Sequence, residues 1–176
     1  MPPDPQREPQ RDPHCRALRD AYGRYATGVA VITTLASTGA PVGLTVNSFS
    51  SVSLDPPLIL WSLMRSAASL PVFLGAGRFA VNVLTDDQRS LATRFAARVE
   101  DRFAGVDWEA GLGGVPLLPG CLARFECATH SHVDAGDHIV LLGGVQRFEH
   151  GDGEPLLFFA SRYAALRGVP AAATAA

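Results

Sequence analysis

Residues 29–48, VAVITTLASTGAPVGLTVNS, have the pattern of two β-strands joined by a short turn. Residues 29–35 and 41–48 are rich in β-branched side chains, which favour extended backbone. Ser37, Thr38 and Gly39 between them are residues of the kind that form turns. The stretch therefore predicts an antiparallel hairpin.

The segments on either side continue this strand-rich pattern. Further strands are predicted at 58–64, 78–84, 121–133, 138–148 and 155–160, with a turn at 134–137. Three short helices are predicted: one from the N-cap Asp12 to near Gly28, one within 66–75, and one that starts at Asp86. Six or seven strands without regular strand–helix alternation favour a mostly antiparallel barrel or sandwich over a doubly wound sheet.

The composition excludes several classes of protein. The 176 residues carry 15 basic and 17 acidic side chains, and every basic one is an arginine. Schiff-base chemistry, pyridoxal enzymes and the usual P-loop nucleotide hydrolases all use a lysine and are therefore excluded. A formal net charge of −2 with scattered arginines argues against nucleic acid as a partner.

Cysteine usage and hydropathy predict a cytoplasmic protein. Cys15, Cys121 and Cys127 are an odd number without the spacing of a disulfide framework, and the first residues lack the apolar core of a signal peptide. The longest apolar runs are far shorter than the roughly 20 residues that a membrane helix needs. We expect a reducing compartment and no membrane as partner.

One domain accounts for the length of the chain. Residues 1–12 are rich in proline and charge and are predicted to be a disordered tail, as are residues 168–176. The segment 13–167 between them is predicted to be a single folded domain that needs no disulfide or metal to hold its core.

Two motifs invite a functional interpretation that their context does not support. GAGRFA (75–80) matches a dinucleotide-binding pattern by letters, but that pattern needs a strand before it and a helix after it, and here the order is reversed. Cysteine, histidine and aspartate cluster in 127–138, yet their spacing is not that of a zinc site. Turn residues and solvated strand histidines are the ordinary explanations, and no metal is predicted.

Two other segments leave alternatives open. The hydroxyl-rich segment GLTVNSFSSVSLDPP (43–57) is suited to binding the polar edge of a heterocycle or a phosphate, or to satisfying its own turns. The turn Gly136-Asp137-His138 is either a functional imidazole beside a carboxylate or ordinary turn chemistry. A serine hydrolase is disfavoured, because the chain has no G-x-S-x-G motif.

Four stretches taken together resemble the flavin reductase family. They are VGLTVNSFSSVSLDPPLILWSL (42–63), GRFAVNVLTDDQRSLATRFA (77–96), DRFAG (101–105) and AGDHIVLLGGV (135–145). The resemblance runs in order from about Tyr22 to Tyr163. Within the family, the chain is most similar to reductases paired with monooxygenases in actinomycete aromatic polyketide biosynthesis.

The resemblance implies a fold, an activity and partners. The implied fold is a mostly β, six-stranded antiparallel Greek-key split barrel that binds FMN, with a few short helices, usually as a homodimer. The implied activity is NADH-dependent reduction of FMN, with FAD and NADPH as alternative substrates. Reduced flavin would then be supplied to a separate monooxygenase.

The resemblance also assigns roles to individual residues. His138 is implied to lie beside the nicotinamide, and Tyr163 to cover that site. Arg102 and Phe103 form a basic-aromatic pair expected near the phosphate and ring, and Ser69 is implied to contact the ribityl chain or phosphate. The remaining implied flavin contacts are Thr45, Val46, Asn47, Ser48, Ser62, Leu63 and Arg65.

Two alternatives remain at this point. One is a flavin-binding or oxygenase-associated split-barrel module without hydride transfer, against which the presence of His138 and Tyr163 argues. The other is a related split-barrel oxidase or heme-binding relative, which predicts oxidase activity without added NADH or a heme absorption band.

Overall fold

The predicted hairpin and most of the other predicted elements are present in the computed structural model, which describes residues 12–166. The predicted terminal tails lie outside the described residues, apart from Asp12. In chain order the elements are helix α1 (Pro13–Tyr22), strands β1 (Thr27–Gly28), β2 (Ala30–Leu35), β3 (Pro41–Val46), β4 (Ser50–Leu54) and β5 (Pro57–Met64), helix α2 (Leu70–Gly75), strand β6 (Arg78–Val83), helix α3 (Arg89–Ala96), and strands β7 (Glu109–Ala110), β8 (Pro116–Leu117), β9 (Ala123–Ala135), β10 (His138–His150), β11 (Leu157–Phe159) and β12 (Arg162–Ala164).

Seven strands form one antiparallel sheet in the order β3-β2-β6-β9-β10-β5-β4. The mostly β, antiparallel architecture expected from the sequence is confirmed. The seventh strand is β4, which lies in the serine-rich segment that carries no clear strand pattern. It forms because the free edge of β5 offers it backbone partners from Ser50↔Leu60 to Leu54↔Pro57.

The sheet curls so that strands from its two ends enclose one core. Val46 of β3 and Trp61 of β5 belong to the same buried cluster, although they lie near opposite edges of the sheet. The Trp61 ring meets Phe73 and Phe79 edge-on at centroid distances of 5.0 and 5.7 Å, a favoured geometry for aromatic pairs. The result is a barrel that is open between β3 and β4, in agreement with a split barrel.

A second core lies outside the barrel, between β2, β3 and helix α3. Phe95 of α3 and Phe103 pack edge-on at 4.9 Å, both over Gly43 of β3. A Cβ atom at Gly43 would stand 2.7 Å from Phe95 Cε1, so only glycine allows this close approach. Helix α3 therefore covers the outer side of β3.

The connection 105–120 covers the outer side of β2 and β6 through buried polar contacts. The Asn82 amide nitrogen donates to Val31 O at 3.0 Å, and its oxygen accepts from Leu118 N at 2.9 Å. Glu126 is 5% exposed, accepts from Leu112 N and pairs with Arg147 at 2.5 Å. Buried polar groups need such partners, so these bonds fix the connection to the sheet.

The predicted end of the first helix was wrong because of a long-range contact. Helix α1 begins at Pro13 with the Asp12 cap as predicted, but it ends at Tyr22 instead of near Gly28, since Thr27 pairs with Phe158 in β11. The predicted strand at 155–160 is confined to Leu157–Phe159 and lies outside the seven-stranded sheet. It forms a small separate sheet with β1 and β12, and the connection 105–120 contains the ribbon of β7 and β8.

Candidate functional site

The end of β3 meets β5 through a serine hydroxyl. Ser48 Oγ accepts from Ser62 N at 2.9 Å and donates to Ser62 O at 3.2 Å. The hydroxyl thus occupies the place that a further β4 residue would take on the Ser62 backbone. Two of the implied flavin contacts are brought together by this bridge, and the exposed amide of Asn47 lies directly before it.

Three other implied contacts point away from this surface. Val46 and Leu63 are 8% and 3% exposed, with side chains in the barrel core. Thr45 Oγ1 donates to Ala92 O of α3 at 2.7 Å. Because two of these side chains are buried and the third is bonded to α3, the backbone is the group that these positions offer to a ligand near Asn47 and Ser48.

His138 begins β10 directly opposite Met64, the last residue of β5. Its Nδ1 lies 2.7 Å from Asp137 Oδ1, and the imidazole is 39% exposed. The hydrogen bond from His138 holds the pKa of Asp137 below its ordinary value, so the carboxyl is ionised at neutral pH. An ionised carboxylate only accepts, which makes Nδ1 the donor and leaves Nε2 free to face a ligand.

The depressed pKa of Asp137 also sets the pH range of this contact. A carboxyl whose folded-state pKa is lowered contributes its interaction above the ordinary Asp pKa, and loses it as the pH falls through the folded-state value. The Asp137–His138 contact is therefore present at neutral and mildly acidic pH. The sequence left open whether Asp137 is a partner of His138 or a turn residue, and in the structure its carboxylate pairs with the imidazole.

Arg65 follows β5 and lies at the same end of the sheet as His138. Its Nε donates to Gly136 O at 2.8 Å, its Nη2 lies 2.5 Å from Asp134 Oδ1, and its backbone N donates to Asp137 O at 2.9 Å. Ser62, Arg65 and His138 are therefore joined by the pairing of β5 with β10. Ser69 follows closely as the half-buried residue before α2, and its hydroxyl makes no cap to that helix.

The remaining implied contacts lie on the other side of β3. Arg102 donates from Nε to Ala97 O at 3.0 Å and from Nη1 to Gly43 O at 2.9 Å, so two of its nitrogens are hydrogen-bonded to backbone carbonyls. Phe103 is 7% exposed in the outer core. Tyr163 packs edge-on against Phe158 at 5.8 Å, beside the same core. The structure does not bring these three side chains to the Ser48–Ser62 bridge.

Two of the cysteines and the potential metal ligands among the described residues are other candidate sites, to be judged by their burial and grouping. Burial raises the pKa of Cys127 to about 12 and that of Cys121 to about 11, so both remain protonated thiols at neutral pH. Within residues 12–166 no three potential ligand side chains are grouped as a metal site. The GAGRFA stretch leads from α2 into strand β6, as its context predicted.

The predicted site is an open surface within a single chain. Two depressions of about 310 and 430 Å³ lie elsewhere, one beside Pro56 and Gly144 and one beside Asp86 and Asp152. Across the described part of the chain, no helix combines the length and the apolar character needed to cross a membrane.

The site and the fold can be compared with known proteins. The family described as flavin reductase like domain matches residues 22–167. The chain is 50% identical over 143 residues to "FMN reductase (NADH) SmoA" of Agrobacterium fabrum, covering 81% of each chain. It is 49% identical over 135 residues to a "Probable flavin reductase" of Rhizobium meliloti, covering 77% of this chain and only 43% of that relative's length.

A solved structure extends the likeness to three dimensions. The NADH:FAD oxidoreductase SgcE6 of Streptomyces globisporus, in complex with NAD and FAD fragments, superposes with a TM-score of 0.83 at 39% identity. The alignment covers 92% of this chain and 98% of SgcE6.

Proposed function

The chain belongs to the flavin reductase family, and from that premise we propose that its single domain, 13–167, is an NADH-dependent FMN reductase that serves a separate monooxygenase. One observation carries the proposal. Strand β5 holds the Ser48–Ser62 bridge, strand β10 begins at the Asp137–His138 pair, and the pairing of β5 with β10 connects the two groups. FAD and NADPH are the alternative substrates, and SgcE6 supports FAD. The three free thiols support a cytoplasmic location.

The surface fits a flavin in its donor and acceptor groups. The isoalloxazine edge carries carbonyl oxygens and ring nitrogens, and the Asn47 amide, the Ser62 hydroxyl and the backbone of 46–48 offer both donors and acceptors. Among the described residues, the Asn47 side chain is exposed and makes no hydrogen bond to the chain. Ser69 supplies another hydroxyl at the start of α2, suited to a ribityl or phosphate group.

The chemistry itself needs little from the protein. When both substrates are bound, the nicotinamide C4 supplies a hydride and the flavin N5 accepts it. The chain orients the two rings, and His138 Nε2 is free to accept a hydrogen bond from the nicotinamide carboxamide N–H. The other residues named by the resemblance keep the backbone of β3 and β5 in place by packing in the barrel core or against the outer side of the sheet. They are Thr45, Val46, Leu63, Arg102, Phe103 and Tyr163.

We also propose that the protein is a homodimer whose interface includes the outer side of β5 and β10. Leu60 pairs with Leu142, and Val140 pairs with Val133, so their side chains form an apolar patch on that side. Met64 and Val133 are 44% and 54% exposed, and no described element covers them. Contiguous exposed apolar surface of this kind marks an interface. A second copy bound to this patch would form one side of the site, next to Ser62 and His138.

The catalytic proposal is tested by the visible spectrum of the purified protein before and after anaerobic NADH, with and without added FMN. Bleaching of the flavin bands only after FMN is supplied supports a reductase of diffusible flavin. Bleaching of protein that is already yellow supports a reductase with bound flavin. Absence of bleaching in both samples contradicts the proposal and favours the non-catalytic module.

The dimer proposal is tested by Leu142→Asp, which places a charge in the centre of the patch. We expect wild-type protein to elute with the mass of two chains by light scattering, and the variant with the mass of one, because an interface with a buried unpaired charge is unfavourable. Tyr25→Asp, at a 79% exposed tyrosine outside the patch, is the control and should stay dimeric. A dimeric Leu142→Asp protein would show that the interface lies elsewhere.

A further inference from the structure

The turn that carries His138 is supported on one side only. Strand β6 pairs with β9 from Ala123 to Ala128, and β9 then continues to Ala135 without β6 beside it. The tip of the β9–β10 hairpin is therefore a two-stranded ribbon whose one remaining neighbour among the described strands is β5. An isolated ribbon is marginally stable in water, so the orientation of the turn depends on this single flank.

Arg65 is the point at which β5 holds the tip of the ribbon. The strand pairing of β5 ends at Met64↔His138, and Arg65 then bonds three residues of the hairpin tip. Its backbone N donates to Asp137 O, its Nε donates to Gly136 O, and its Nη2 meets Asp134. The contacts fall on both sides of the turn, so they restrain its tilt as well as its distance from β5.

We propose that Arg65 is a positioning residue: it holds the Gly136-Asp137-His138 turn against the end of β5 and so directs His138 Nε2 toward the nicotinamide. This differs from the direct flavin contact that the sequence resemblance implied for Arg65. The inference rests on the proposed function, because it assigns His138 to the nicotinamide side of that site.

The bond to the Gly136 carbonyl carries this role, and the ion pair contributes little. The side chains of Arg65 and Asp134 are 46% and 75% exposed, and ion pairs that are this exposed contribute little stability. The Arg65 Nε–H meets the Gly136 carbonyl in a direction fixed by the planar guanidinium, whereas a lysine has no donor at the Nε position and only a freely rotating ammonium beyond it. Asp134→Asn should therefore change little, and Arg65→Lys should restore only part of the function lost in Arg65→Ala.

The kinetic test compares Arg65→Ala, Arg65→Lys and Asp134→Asn with wild type. For Arg65→Ala we expect the NADH KM to rise about 3- to 10-fold, with kcat and the FMN Kd changed less than about 3-fold, because misplacement of one binding group weakens substrate positioning. Arg89→Ala is the control, since Arg89 is 50% exposed in an equivalent surface pair with Asp86 far from the hairpin tip. An NADH KM that is equal in Arg65→Ala and Arg89→Ala would overturn the proposal.

A second readout does not depend on reductase activity. In protein with nitrogen-15 in its five histidines, the long-range imidazole spectrum reports which ring nitrogen carries the proton, and His138→Ala identifies the His138 signals. Wild type should show His138 protonated at Nδ1, and Arg65→Ala should show a mixture of both tautomers. An unchanged His138 spectrum in Arg65→Ala would refute the positioning role. A wild-type protein that failed to oxidise NADH would refute the proposed function, and the tautomer change would still report on Arg65.

Discussion

Replacing His138 with alanine is expected to lower kcat/KM for NADH by about 3- to 10-fold, the equivalent of one neutral hydrogen bond. The reason is geometric. Asp137 accepts from Nδ1–H at 2.7 Å, which leaves Nε2 of a 39% exposed ring as the acceptor that can meet the nicotinamide carboxamide. In the proposed site the flavin is bound by β3, β5 and the start of α2, so the FMN Kd should stay within about 3-fold of wild type.

His132→Ala is the matched control for this change. His132 is an exposed histidine on β9 of the same hairpin, opposite Leu141, and makes no hydrogen bond within the described residues. Steady-state oxidation of NADH at saturating FMN, followed at the nicotinamide absorbance, gives kcat/KM for both variants. Equal values for His138→Ala and His132→Ala would place the nicotinamide away from the Gly136-Asp137-His138 turn.

Replacing Gly143 with valine is expected to destabilise the fold by about 3 kcal/mol, the upper end of what overpacking a core costs. Gly143 lies in β10 and faces the barrel interior. A Cβ atom there would stand 2.5 Å from Phe79 Cζ and 3.0 Å from Cys127 Cβ. Phe79 is 1% exposed and packs edge-on against Trp61, so its ring has no free space to move into.

Gly28→Val provides the comparison, because nothing lies within 4 Å of a Cβ at Gly28. Its stability should stay within about 0.5 kcal/mol of wild type, as for most surface substitutions. Thermal or urea unfolding followed by circular dichroism measures both variants. For a chain of this size, Gly143→Val should lower the melting temperature by roughly 6–12 °C. Equal melting temperatures for the two variants would mean that the core has room above Gly143.

Local sequence patterns predicted every strand of the seven-stranded sheet except one. The runs 29–35, 41–48 and 78–84 are rich in residues that favour extended backbone, and each contains the strand that the structure has there. Strand β4 was missed because Ser50, Ser51 and Ser53 suit a turn as well as a strand. The free edge of β5 decides between these conformations, and that edge is absent from any local window of sequence.

The candidate site was predicted through the family resemblance and was then refined by side-chain direction. The structure joins Ser48 to Ser62 directly and connects both to His138 through the pairing of β5 with β10. Phe103 and Arg102 are next to each other in sequence. In the structure the Phe103 ring packs in the outer core, whereas the Arg102 guanidinium donates a hydrogen bond to Gly43 O. Which face a residue takes depends on the helix packed over β3, so adjacency of a basic and an aromatic residue could not assign these two to a ligand.

By itself the sequence determined the strand-rich class, the hairpins and the enzyme chemistries that a chain without lysine excludes, because periodicity and composition are local properties. The tertiary structure alone decided how the sheet closes, where β4 and β11 pair, and that Arg65 binds the tip of the hairpin that carries His138. These features arise from contacts between residues far apart in the chain, such as Arg65 with Gly136 and Ser48 with Ser62. Hydrogen bonds of this kind depend on the geometry of the folded chain, which no local pattern of residues encodes.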